Sequence, residues 1–231
     1  MRSIDLSSCI EGVFVRELKN RFLCEVLVSD VATVCYVPSS CHLSNFISLQ
    51  GKRVLLVPTS TPGSRTKLAL FAVPFKRSYI ILNSSLANQA VLASINSRWF
   101  SFLGRRKHVL AEHKINNYKA DLFIEDTKTI IEVKSVLAVD DEAIFPTVFS
   151  ERSLEQLLAI KNLLAQGYLV HYCIVSLNPY VKRIQIANGD AFHTQLLECI
   201  GHGMTFSGHT CRFHENRISI SKQVPIALDD L

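Results

Sequence analysis

A chain of 231 residues with 48% hydrophobic content has room for one large domain or two small ones with ordinary packed cores. No apolar run approaches the ~20 residues a membrane helix needs, Met1-Arg2-Ser3-Ile4-Asp5 opens no secretory pattern, and seven scattered cysteines include no C-x-x-C pair, which together predict a cytoplasmic protein with no membrane contact and with reduced, buried thiols. The formal charge of +5 is unevenly placed: residues 1–85 hold ten Lys/Arg against five Asp/Glu, and the remainder is balanced, which suggests a polyanion-gripping module joined to a neutral one.

From Ile10 to Leu82 the pattern is one of short strands at intervals of about a dozen residues, over 12–17, 22–28, 32–38, 53–58, 67–74 and 79–82, broken by Pro58, Gly63 and Pro74. Five or six such strands predict a small closed or partly open β-barrel, of OB type or SH3-like type. Arg16, Lys19 and Arg21 bracket the first turn beside Phe22, Lys52-Arg53 open the fourth strand, and Lys76-Arg77 precede Tyr79. Cations interleaved with aromatics are what a nucleic-acid stacking platform uses, so these residues are the candidate nucleic-acid contacts, with Lys119 further on.

Near Asn83 the pattern changes. Asn83-Ser84-Ser85 caps a helix through Leu86, Ala90, Val91 and Ile95, a second apolar stretch follows at 99–103, and the domain boundary is set here, giving units 1–83 and 84–231. Arg105-Arg106-Lys107-His108 is an exposed basic turn. Two β-branched, apolar runs then flank Asp126-Thr127-Lys128 and predict a hairpin. With a two-residue loop, Asp121 lies opposite Glu132; a four-residue loop sets it opposite Lys134; a bulge sends it to the other face. Residues 138–150 form an irregular stretch. Ser153 with Gln156 matches a capping box, and Leu154, Leu157, Leu158, Lys161, Leu164 and Ala165 mark a helix ended by Gly167. The apolar run 168–177 follows as a buried strand parallel to the Glu132 strand, so the hairpin sits near the middle of a mixed sheet. A helix over 191–200 and strands over 204–213 and 217–222 complete the chain. His209-x-Cys211-x-x-His214, with His202 upstream, is a candidate metal cluster whose spacing matches no standard finger.

The hairpin carries the chemistry. Two carboxylates about 4 Å apart repel by roughly 4 kcal/mol at an effective dielectric near 20. A shared proton, Lys134, or a divalent cation offsets that, and the cation explains why oxygen ligands cluster. Asp121, Glu132 and the Val133 carbonyl are then the candidate ligands, and Lys134 holds or deprotonates a bound water. Glu112 is a candidate further carboxylate.

Asp121, Ile131-Glu132-Val133-Lys134-Ser135-Val136, Phe145-Pro146 and Glu151-Arg152 at the head of a helix resemble the sugar fermentation stimulation protein A family. The match extends to Asn20-Arg21-Phe22, Leu82-Asn83 with Ala87-Asn88, and Val224-Pro225-Ile226-Ala227-Leu228, and so covers nearly the whole chain. The resemblance implies an OB-like amino-terminal barrel followed by a restriction-endonuclease-like α/β domain of the PD-(D/E)xK type. It also implies DNA binding, a regulatory role in sugar metabolism, and phosphodiester cleavage dependent on Mg2+ or Mn2+. Asp121, Glu132 and Lys134 would be the catalytic set, with Glu151 and Arg152 as additional site residues. Four places depart from the family pattern: Ser39-Ser40-Cys41, Tyr118-Lys119-Ala120, Thr147-Val148 after Phe145-Pro146, and Ser153 with Gln156 after Glu151-Arg152. Three functions follow as expectations: a metal-dependent nuclease on DNA or RNA, a non-catalytic DNA-binding regulator on the same fold, or a module whose basic barrel contacts an acidic protein partner. The oligomeric state stays open, a homodimer included.

Overall fold

The computed structural model describes residues 8–39, 42–59 and 65–228; Arg2, Asp5, Ser40, Cys41 and Gly63, all used in the sequence reading, lie outside them. The chain begins as a closed barrel of β1 (Ile10–Glu17), β2 (Leu23–Val28), β3 (Val31–Tyr36), β4 (Arg53–Pro58) and β5 (Leu68–Phe75), with β6 (Ser78–Ile81) paired onto β5. The strand order is β3-β2-β1-β4-β5-β6, and a parallel bridge between Tyr36 and Ala69 closes it. Gly12 is required where β1 crosses β2, because a Cβ there would stand 2.5 Å from Val26 Cγ1 and 2.9 Å from the Leu27 carbonyl oxygen.

The barrel strands differ in pattern because they differ in surroundings. Strands β1 to β3 alternate, with Phe14, Cys24, Val26 and Cys35 inside and Val13, Leu27, Val34 and Tyr36 outside. Strands β4 and β5 are almost continuously apolar, because both faces are covered. Val54, Leu56 and Leu70 fill the barrel. Leu55, Val57 and Phe71 instead join a core shared with the following helix and the second sheet.

That helix is α1 (Leu86–Ser94), with the Asn83 side chain accepting from the Ser85 amide and hydroxyl at its start. A 3-10 segment over Arg98–Leu103 follows. The second sheet contains β7 (Val109–Ile115), β8 (Tyr118–Ile124) and β9 (Thr129–Val136); then come β10 (Glu142–Phe145), α2 (Glu151–Ala165), β11 (Leu169–Ser176), β12 (Arg183–Ile186), α3 (Ala191–Gly201), β13 (Thr205–His214), β14 (Arg217–Val224) and β15 (Ile226–Ala227). Its order is β14-β13-β11-β9-β8-β7, mixed, with the charged hairpin strand β9 interior and β11 parallel to it as expected. A small parallel sheet, β10-β12-β15, lies apart. Among the described residues no helix is long and apolar enough to cross a membrane.

Several expectations are corrected. The stretch 138–150, expected to be irregular, contains β10, and residues after the basic turn, left unassigned by the sequence, form β7. The cap of α2 is Ser150, whose hydroxyl accepts from the Ser153 amide, so Ser153 and Gln156 are no capping box. The buried face of α2 is Leu157, Ile160 and Leu163, while Leu158 is exposed and Lys161 pairs with Glu198 on α3.

Candidate active site

The hairpin register is that of the two-residue loop. Leu122 pairs with Ile131, Phe123 with Ile130 and Ile124 with Thr129, and the Lys128 amide donates to the Glu125 carbonyl across the turn. The next position in that register sets Asp121 opposite Glu132, but the ladder stops there. The Val133 amide donates to Asp121 Oδ2 at 2.8 Å instead of to a strand carbonyl. On the other side of β8 the pairing also lapses: Ala111 meets Leu122 and His113 meets Ala120, leaving Glu112, at φ +54°, and Asp121 out. Side-chain alternation slips at the same place. Tyr118 and Ala120 join the core under α2, Leu122 and Ile124 the core under α1. The strict two-residue period expected for this strand is therefore broken at the residue of interest.

The slip lets both faces of the sheet serve one site. From the α1 side, Asn88 Nδ2 donates to Asp121 Oδ1 at 2.7 Å. From the α2 side, Gln156 Nε2 donates to Glu132 Oε1 at 3.0 Å. Lys134 Nζ bonds the same Glu132 oxygen at 2.7 Å and Gln156 Oε1 at 2.6 Å, and the Tyr118 hydroxyl donates to Glu132 Oε2. Glu132 is only 1% exposed, so its charge is held by this lysine and these donors rather than by water.

Burial, and then the Glu132 charge beside it, push the Asp121 carboxyl up from 3.8 to about 6, against the pull of the Val133 amide, Lys134 and Asn88. Tyr118 is held far above its ordinary range by burial and then by Glu132. Tyr172, aligned with Glu132 on the neighbouring strand, is raised by burial and by both carboxylates; its hydroxyl is fully buried with no hydrogen-bond partner. Two carboxylates, a lysine and an unpartnered hydroxyl suit an oxygen-seeking cation that keeps part of its water shell. Among the described residues no group of three or more His, Cys, Asp and Glu is arranged to hold a metal.

The expected residues divide accordingly. Asp121, Glu132 and Lys134 come together, and Val133 contributes its amide. Glu112 does not join them; it is exposed and bonds Lys119 at 3.1 Å. Glu151 and Arg152 are exposed on the first turn of α2. Arg16 pairs with Glu25 at 2.7 Å, Arg21 lies 4.7 Å over the Phe22 ring, and Lys19, Lys52 and Arg53 are exposed. Lys76 and Arg77 sit on the β5–β6 turn against Tyr180 of the second unit.

The histidine cluster does not form. His209 is buried and bonded to Ser207, His202 bonds the Glu198 carbonyl, and His214 lies beside Glu215. The sequence reading missed Tyr118, Gln156 and Tyr172 as parts of the site; the register that aligns Tyr172 with Glu132 was the available signal for the last.

A family model described as "Sugar fermentation stimulation protein RE domain" matches residues 85–217. A sugar fermentation stimulation protein homolog of Desulfitobacterium hafniense (strain DSM 10664 / DCB-2) is 24% identical over 223 residues, spanning 94% of this chain and 96% of its own. A homolog from Ruminiclostridium cellulolyticum is 24% identical over 233 residues with the same two shares. The structure of Pyrococcus furiosus SfsA in complex with Ca2+ superposes with a TM-score of 0.82 over 99% of this chain and 100% of that one, at 17% identity, a likeness of fold.

Proposed function

The chain belongs to the sugar fermentation stimulation protein family, its RE-domain match spanning more than half of the residues, and from that premise we propose that it is a divalent-metal-dependent phosphodiesterase acting on DNA or RNA. The observation that carries this reading is the buried Glu132–Lys134 pair set beside an Asp121 carboxyl whose proton affinity is raised by burial and then by the Glu132 charge. Asp121, Glu132 and the Val133 carbonyl would hold the ion, and the donor set favours Mg2+ or Mn2+ over a thiolate-seeking metal. The relative solved with Ca2+ supports a divalent ion of this class.

When bound, such an ion acidifies a water and polarises a phosphoryl oxygen. The rest falls to the chain. Asn88 and the Val133 amide fix the Asp121 carboxylate, and Tyr118 and Gln156 fix that of Glu132. Lys134 would hold a water or offset charge building on the phosphate. The barrel cations Arg16, Lys19, Arg21, Lys52 and Arg53 would grip the backbone without reading sequence, so affinity should fall steeply with salt.

One observation favours a second reading, a nucleic-acid-binding regulator without hydrolysis: each of the four carboxylate oxygens already accepts a hydrogen bond from the protein. Labelled single- and double-stranded DNA and RNA, incubated with Mg2+, Mn2+ or chelator, separate the two. Metal-dependent product from wild type and none from Glu132→Gln is the expected result. Binding by both proteins with product from neither leaves the second reading.

A further inference from the structure

The parallel strands β9, β11 and β13 end on one side of the second sheet, and beyond those ends the barrel leans on it. The Arg77 amide donates to the Tyr180 hydroxyl at 3.0 Å, and Lys76 Nζ lies 4.9 Å from the Tyr180 ring. Between this turn and the β13–β14 hairpin is a cleft of about 560 Å³, whose walls include Arg77, Tyr79, Tyr180, Arg212, His214 and Lys222. Crevices outside the carboxyl ends of parallel strands are where sheets of this kind take ligands.

The chemistry of the walls is one-sided. None of Arg77, Arg212 and Lys222 has a carboxylate partner among the described residues, so their charge is turned to the cleft and solvent rather than spent in ion pairs. The one acid among the described residues of the wall, Glu215, lies 3.9 Å from His214. Tyr79 is packed edge-on against Phe213, which holds its ring rigidly at the cleft, and Tyr180 is pinned by its bond to the Arg77 amide. Two guanidinium groups and an ammonium lining one cleft with two phenol rings match a phosphate attached to a flat aromatic ring.

We propose that this cleft is a nucleotide site, binding a nucleoside phosphate with the phosphate on Arg77, Arg212 and Lys222 and the base against Tyr79 and Tyr180. The same chemistry is offered by a free mononucleotide and by one unit of a single strand. The site goes beyond the phosphodiesterase reading and shares no residue with the carboxylate pair.

Fluorescence anisotropy on the full chain in chelator tests it, with a labelled nucleoside monophosphate and a labelled single-stranded oligonucleotide as probes. Ribose 5-phosphate and the unphosphorylated nucleoside should each compete about tenfold more weakly than the nucleotide, since stacking and phosphate contact each contribute on that scale. The Arg212→Ala, Lys222→Ala double variant should bind about tenfold more weakly or worse, and Lys161→Ala, in the surface pair between α2 and α3 and in neither site, should bind as wild type. Binding of the mononucleotide identifies the free ligand; binding of the oligonucleotide alone identifies a strand. No binding of either probe, equal competition by ribose 5-phosphate, or unchanged affinity in the double variant overturns the proposal. So does loss of binding in a folded Glu132→Gln protein, which would put the probe at the carboxylates. A blank cleavage assay with intact nucleotide binding would sink the phosphodiesterase reading alone.

Discussion

Two buried polar clusters occupy opposite faces of the second sheet and meet the cost of burial differently. On the face under α1, His171 Nδ1 bonds Thr205 Oγ1 at 2.9 Å, His171 Nε2 bonds Ser207 Oγ at 2.8 Å, and Ser207 Oγ bonds His209 Nε2 at 2.8 Å. With neutral rings the protons can run along the chain from His209 through Ser207 and His171 to Thr205 or in the reverse direction, and in either case His209 Nδ1 has no partner among the described residues. Burial, and for His171 also the neighbouring His209, lowers the pair to about 3 and about 4, so the cluster stays uncharged. On the face under α2, Glu132 is paired with Lys134 at 2.7 Å, with the Asp121 carboxyl beside it, raised by burial and then by Glu132. A buried polar cluster can shed charge or hold it in an ion pair, and the second kind is the one that the proposed divalent ion would join.

The strongest way to break the comparison is to remove the charge from the second cluster. Glu132→Ala leaves Lys134, Tyr118 and Gln156 without their shared acceptor, and should cost on the order of 3–5 kcal/mol in urea unfolding at pH 7. Glu132→Gln, which retains an acceptor, should cost distinctly less. Equal losses would mean that packing rather than ion pairing holds the site.

The histidine face makes a pH prediction of defined sign. Because the His209 folded value is lowered from 6.5 to about 4, the unfolded chain binds a proton in that window that the folded ring refuses. The stability this ring contributes is therefore fully present above pH 6.5 and falls as pH drops toward 4, by an amount on the order of 3 kcal/mol, and His171 adds a fall of the same sign. His209→Gln should flatten that part of the profile, read by denaturant midpoints at several pH values. An unchanged slope would assign the acid sensitivity to other groups.

Asp121 should act with the opposite sign. Its folded value is raised from 3.8 to about 6, so the folded chain holds the proton longer and stability falls as pH rises through that window, by about 2 kcal/mol. Asp121→Asn should be the more stable protein at pH 8 and lose that advantage at pH 4, in the same titration. Millimolar Mg2+ should narrow the gap at pH 8 by stabilising wild type alone. A variant no more stable than wild type at pH 8 would show that the two carboxylates are not in conflict.

The contrast also marks what the sequence could disclose. The hairpin followed from β-branched runs around Asp126-Thr127, which left its register open between a two-residue and a four-residue loop, and the parallel placement of β11 followed from a long apolar run after a helix. Strand β7 escaped because Glu112, His113 and Lys114 interrupt its alternation and Glu112 sits at positive φ. Strands β10 and β12, four residues each, are too short to show a period. Tyr118 and Tyr172 read as core because their hydroxyls matter only through partners on other strands. His171 and His209 come together through strand pairing that no local spacing encodes.

Gln156 gives the smallest effect and the sharpest test of the charged cluster. Its position, three residues after Ser153, imitates a capping box, yet the hydroxyl that caps α2 belongs to Ser150 and the Gln156 amide faces the sheet. There it donates to Glu132 and accepts from Lys134, so one neutral side chain fixes the spacing of an ion pair. Gln156→Ala should cost about 1 kcal/mol in urea, as for a net buried hydrogen bond. In the Glu132→Gln background the same substitution should cost less, because the charged acceptor that strengthened the bond is gone. If the loss is identical in both backgrounds, Gln156 packs under α2 without orienting Glu132. A coupling above about 0.5 kcal/mol instead makes it the residue through which α2 positions the pair.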